Sequence, residues 1–495
     1  MASVINSNIA SLNSQRNLTG SQNALNTSLQ RLSSGMRINS ARDDAAGLAI
    51  SDRMTSQIRG MTQAGRNAND GVSLAQTAEG ALSSSGDILQ RIRELAVQSS
   101  TSTNSGSDRA ALQTEVTQMA AELNRIANTT AFNGQNLLDG TMGTAQFQVG
   151  ADAGQLISAT GANFQTNIYG NNQIANNTMT AFDGTNVAND TRTGNFTING
   201  PRGSSAAITV AQGDSAKAIA SKANAESGKT GVSASAITEV NLKLGPSESF
   251  TFDLIGDNTT AVKVSFAVGA GANEASDFAA ALTAINAQTA KTGITAEFDA
   301  SAATPSLKLT HSGGADIKVQ NTALPATPNL VAAVQTYAAD GVTLAGAAVN
   351  LLDNAAQGVG VGRVTFDSSS SFSVTEGTAT TMNLGGTSNL NSVSQLDVST
   401  FKGAQLAIKI ADAALATVNT QRASFGALQA RFASTISNLS ATTENLSASR
   451  SRIQDTDFAA ETASLTRGQI LQQAGTAMLA QANSLPNGVL SLLRG

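Results

Sequence analysis

Apolar residues recur every three or four positions near both ends of this chain and alternate with polar ones in its middle. Ile5, Ile9 and Leu12 step by four and three, and Leu25, Leu29, Leu32 and Met36 by four, three and four. Leu112, Val116, Met119, Leu123 and Ile126 keep that rhythm, as do Phe425, Leu428, Phe432, Ile436, Leu439, Thr443 and Leu446. Leu471, Met478 and Leu485 fall seven apart. A period near 3.5 predicts helices with a coiled-coil seam. Gly35 after Ser33 and Ser34 suits the position that ends a helix. Ser40, followed three residues on by Asp43, reads as a capping box opening a second helix over about 41–98, roughly 75 Å long. Residues 99–107 read as a loop and 108–128 as a third helix. Residues 132–150 read as a hairpin turning at Asp139-Gly140.

The outermost helices are not self-sufficient. Ile5, Ile9, Leu12, Leu18, Leu25, Leu29 and Leu32 each gain about 1.5–3 kcal/mol on full burial, whereas ordering backbone costs about 1–2 kcal/mol per residue. One thin apolar stripe does not close that gap. The tail, 469–494, is in the same position, so residues 1–40 and 460–495 are expected to be mobile in the monomer. Two marginal helices with matching periods invite pairing with each other and with further copies.

Residues 151–399 carry short alternating runs, such as 250–254, 262–266 and 307–309, separated by Gly and Asn turns. Residues 213–236 and 274–298 resemble each other at an offset of 62: each has a helical pattern and then Lys-Thr-Gly-Val/Ile-Ser/Thr-Ala, at Lys229–Ala234 and Lys291–Ala296. Each copy reads as strand, helix, strand, a duplicated α+β module. The fold class is therefore multidomain, with all-α coiled-coil inner domains built from both termini and β-rich, α+β outer domains inserted between them.

Composition sharpens the partition. The six prolines are absent from 1–200 and 329–485, and no aromatic residue precedes Phe132 or follows Phe458. Long thin helical packing tolerates both features. The 495 residues carry a net charge of −5, concentrated in the middle, which argues against a nucleic-acid binder. With no Cys and only His311, neither thiolate chemistry nor a Cys/His zinc site is available, and a His-Glu-x-x-His protease helix is excluded. No apolar run spans a membrane and no start-of-chain export signal is visible. No catalytic residues, cofactor or metal are therefore expected.

Four features look chemical and have plainer readings. Ala223-x4-Gly228-Lys229-Thr230 imitates a phosphate loop, but a helix precedes it and a strand follows, the reverse of what phosphate binding needs. It reads as a helix end. His311 reads as a surface or turn residue. Asp43 and Asp44 read as first-turn acids near Arg31, Arg37 and Arg42. Arg91, Arg93 and Glu94 read as a solvated helix face.

The terminal stretches carry a more specific signal. Residues 29–47 read Leu-Gln-Arg-Leu-Ser-Ser-Gly-Met-Arg-Ile-Asn-Ser-Ala-Arg-Asp-Asp-Ala-Ala-Gly. Arg66–Gly71, Arg91–Gln98, Ser451–Glu461 and Leu485–Arg494 add to them. Over about 1–165 and 400–495 the chain resembles bacterial flagellin, the filament subunit of the flagellum. The resemblance implies an inner tube domain of 1–45 with 455–495, a rod domain of 46–165 with 400–454, and outer surface domains within 166–399. It implies export of an unfolded chain through a type III channel and self-assembly into an extracellular hollow helical filament that acts as propeller. Packing between copies falls to Ile5, Ile9, Leu12, Leu25, Leu29, Leu32, Leu471, Met478 and Leu485.

The implied partners are copies of the chain itself, an export chaperone, a filament cap and hook-associated junction proteins, with no nucleic acid and no membrane insertion. Toll-like receptor recognition would map to Arg91, Glu94, Leu95, Gln98 and Glu115, and inflammasome sensing to Leu490, Leu492, Leu493 and Arg494. The alternatives are a hook–filament junction protein of the same family and a surface adhesin acting through the middle.

Overall fold

A computed structural model describes residues 7–175, 180–300, 305–322, 331–352, 356–377 and 383–492. In chain order the helices among them are α1 (Ile9–Ser34), α2 (Ala45–Ser99), α3 (Gly106–Thr129), α4 (Ala216–Ala225), α5 (Ser227–Thr230), α6 (Ala279–Asn286), α7 (Thr289–Thr292), α8 (Phe401–Gln454) and α9 (Phe458–Leu492). Long helices from both ends enclose a β-rich middle, as the periodicity predicts.

Helices α2 and α8 pair lengthwise as a rod, with α3 alongside. Its core is built from Leu82, Leu89, Ile92, Leu95, Val116, Leu123, Ile410, Val418, Phe425 and Phe432. Small residues let the helices approach: a side chain on Gly71 would run into the Phe432 ring. Gly35 ends α1 at φ +70, a conformation that Cβ disfavours in other residues.

The start of α2 departs from the sequence reading. Asp43 accepts hydrogen bonds from the Asn39 and Ser40 amides and the Ser40 hydroxyl in a turn ahead of the helix. Asp44 is the true cap, taking the Gly47 amide at 2.8 Å. The predicted hairpin over 132–150 is really two. Asn133 and Gly134, both at positive φ, turn the first between Phe132 and Gln135. The second pairs Thr144–Gln148 with Leu156–Thr160.

The middle packs two further cores, separate from that of the rod among the described residues. The 62-residue repeat is visible bond for bond. Thr230 and Thr292 each donate to the carbonyl four residues back at 3.1 Å, and accept the amides of Val232 and Ile294 at 3.2 Å. Asn224 and Asn286 each bracket the following strand at Ala234 and Ala296. Gly231 and Gly293 close the helical runs at φ +73 and +70, so the phosphate-loop look-alike is a helix end. Each unit has one more strand than the sequence suggests, because a paired strand, Gly194–Gly200 or Ser249–Ile255, precedes the expected three elements. Both units feed one eight-stranded sheet through Ser233–Leu244 and Ile294–Asp299.

His311 is not on the surface. It is buried at the end of strand Ser306–His311, where Nδ1 accepts the Gly313 and Ala315 amides at 3.2 Å and Nε2 lies 3.0 Å from Asp257. In the same sheet Glu239 lies between Lys308, at 2.9 Å, and Arg363. Burial pushes the Glu239 carboxyl up, but the charges of Arg363 and Lys308 more than reverse this and hold it below the usual carboxylate range. A carboxylate depressed in this way stabilises the fold above its unfolded-state pKa, and that stability is lost as pH falls through the folded value. Glu239→Gln is expected to remove roughly 3 kcal/mol at pH 7 and to flatten the acid dependence of outer-domain melting below pH 4.5; calorimetry between pH 3 and 7 checks both.

Candidate assembly surface

The rod ends where the chain bends twice in one place. Gly35 and Met36 lie against Asp455: Thr456 N donates to Gly35 O at 3.0 Å and Arg37 N to Gln454 O at 2.7 Å. Both breaks thus form a single joint, from which α1 and α9 run on as an antiparallel pair.

The seam of that pair is not made of the residues with the strongest sequence signal. On α1 the inward positions are Ser11, Ser14, Leu18, Ser21, Leu25, Ser28 and Leu32; on α9 they are Leu465, Gly468, Gln472, Gly475, Leu479 and Ala482. Large residues sit on small ones: a Cβ on Gly468 would lie 3.4 Å from Leu25, and one on Gly475 3.2 Å from Leu18. Such a seam brings the helices close but buries little apolar area, so it supplies little stability of its own.

A second set of large apolar side chains faces outward. Ile9, Leu12, Leu29, Ile470, Leu471 and Met478 are exposed, Leu471 by 51% and Met478 by 62%. Leu25 and Leu32 are half-buried in the seam itself. Leu485, Leu490 and Leu492 lie on the last turns of α9, whereas Ile5, Leu493 and Arg494 fall outside the described residues. The Gly and Ser positions of the seam were missed in the sequence because apolarity was the criterion; a heptad of small residues in register with Leu18 and Leu25 was the available signal.

On the rod, Arg91 donates to Glu94 at 3.0 Å and to Glu115 at 3.1 Å, linking α2 to α3 on an exposed face. Those hydrogen bonds, to Glu94 first and then Glu115, push the Arg91 guanidinium pKa further up. Gln98 is exposed beside them. Leu95 points the other way: it is 1% exposed and belongs to the rod core.

Comparison with known proteins agrees with this geometry. The profile of the bacterial flagellin N-terminal helical region matches residues 5–143, that of the C-terminal helical region 408–493, and that of the flagellin hook IN motif 195–244, the first of the two repeated units. The B-type flagellin of Pseudomonas aeruginosa is 45% identical over 503 residues, with the whole of both chains covered.

The chain belongs to the bacterial flagellin family.

Salmonella typhimurium flagellin is 39% identical over 522 residues, again with full coverage. Among solved structures, FliC from Burkholderia pseudomallei is 22% identical, covering 73% of this chain and 99% of that one at a TM-score of 0.30. Flagellins are structural proteins that form the extracellular flagellar filament as a homopolymer. Among the described residues of this flagellin, no helix is long and apolar enough to cross a membrane.

Proposed function

We propose that this flagellin polymerises through the outward apolar stripe of its terminal helix pair and that the assembled, exported filament serves as a propeller. The observation that carries this reading is the exposure of Ile9, Leu12, Leu29, Leu471 and Met478 on a pair whose own seam sets leucines against Ser, Gly and Ala. Exposed apolar rows of this kind mark interaction sites. Stacking by heterologous contacts that do not close generates an open helix. In this scheme 1–45 with 455–495 line the tube, 46–165 with 400–454 form the rod, and 166–399 project outward. The export chaperone, filament cap and junction proteins act on this terminal pair. The full-length likeness to filament flagellins favours the filament subunit over the junction protein. Innate recognition uses the exposed Arg91, Glu94, Gln98 and Glu115 face, with Leu95 acting by holding that face in place, and a second sensor reads the leucine-rich end.

Deleting Gly170–Ser392 tests the reading. Just outside the deletion Val393 N donates to Tyr169 O at 3.1 Å, so a short turn rejoins the two ends. The shortened chain is expected to form filaments visible by electron microscopy. Loss of assembly with the rod still helical would reject the terminal-pair mechanism and favour an activity residing in the outer domains.

A further inference from the structure

Helix α9 runs from Phe458 to Leu492 and passes through Pro486. Proline has no N–H, so the carbonyl four residues earlier, that of Ala482, loses its helical donor. Ala482 is buried against α1, where an unsatisfied carbonyl is costly. The missing donor comes from the opposite end of the sequence: Asn8 Nδ2 donates to the Ala482 carbonyl at 2.8 Å. The same side chain caps α1, its Oδ1 accepting the Ser11 amide at 3.0 Å. Ser11 adds a second tie, its hydroxyl donating to Asn483 Oδ1 at 2.7 Å.

We infer that Asn8 is a positioning residue that lets α9 continue past Pro486 by serving the carbonyl the proline orphans, so that the start of α1 and the end of α9 form together. One amide group serves two helices. Its oxygen begins α1, and its nitrogen repairs α9. The inference concerns the pair itself; filament formation is a separate reading.

The test is a suppressor cycle in the full-length chain, with amide exchange of residues 479–484 followed by mass spectrometry at assembly concentration. Asn8→Asp keeps the cap of α1 and removes the donor to Ala482. Exchange in 479–484 is expected to accelerate about tenfold, the scale of a buried carbonyl losing its partner. Pro486→Ala restores the N–H, so Asn8→Asp combined with Pro486→Ala is expected to return exchange to the unmodified rate. Introduced into Pro486→Ala, Asn8→Asp is expected to leave exchange unchanged, because the Ala482 carbonyl then has its helical donor; a merely structural loss would accelerate exchange equally in both backgrounds. Unchanged exchange in Asn8→Asp, or no recovery in the double variant, overturns the inference. Protection of 479–484 in an unmodified chain that forms no filaments counts against the proposed function and leaves this readout intact.

Discussion

Replacing Leu471 and Met478 together by Asp is expected to abolish filament growth while leaving the isolated subunit's helix content and melting temperature unchanged. Both side chains are more than half exposed, and surface substitutions away from special features shift stability by about 0.5 kcal/mol or less. Once copies stack on this stripe, two carboxylates would be buried without partners, at a cost of roughly several kcal/mol each. Sedimentation and electron microscopy read the assembly, and circular dichroism reads the subunit. Normal filaments from the double variant would mean that the outward stripe of α9 is not the packing surface. Leu25→Asp is the contrasting case: it faces Gly468 within the subunit, so it should weaken the helix pair before any copy is met.

The second large effect lies in the rod. Phe432 is fully buried, stands edge-on to Phe147 at 5.5 Å with an interplanar angle of 87°, and covers Gly71. Phe432→Ala is expected to cost about 3–5 kcal/mol, which lowers the rod's melting temperature by roughly 10 °C. Gly71→Ala should be destabilising too, because the added methyl meets a ring that has nowhere to move. Combined with Phe432→Leu, its penalty should shrink, since the two positions share one space. Additive losses in the double variant would show that the ring and the glycine do not share it.

How much of this was legible in the sequence depends on whether burial leaves a mark in residue type. Phe425, Leu428 and Phe432 are apolar and buried, so their spacing pointed directly to the α8 seam. The repeat was legible because Lys-Thr-Gly recurs at a constant offset, with Gly231 and Gly293 both needed at positive φ. Its leading strands were missed because the loops behind them differ in length. Gly200 and Gly256, which approach the equivalent Thr230 and Thr292 carbonyls, are not separated by 62 residues. The first turn of α2 was misplaced because Ser40 and Asp43 have the chemistry of a capping box and use it to close a separate turn. At the assembly surface the apolar residues were legible but their facing was not. The spacing marks Leu471 and Met478 for packing between copies, whereas the seam within the subunit is held by Gly468 and Gly475. A glycine leaves no apolar signal, and its value here is the space it vacates.

The outer part is joined to the rod by two adjacent antiparallel strands, Gly170–Ile174 and Asn389–Ser392, with Gly170 opposite Ser392. Its apolar cores share no residue with the rod core among the described residues. The chain therefore leaves the rod and returns to it at points only about 5 Å apart. Any autonomous domain whose two termini lie side by side can be spliced in at that doorway without disturbing Tyr169 or Val393, the rod-core residues just inside it. The subunit thus has a built-in socket for an inserted domain.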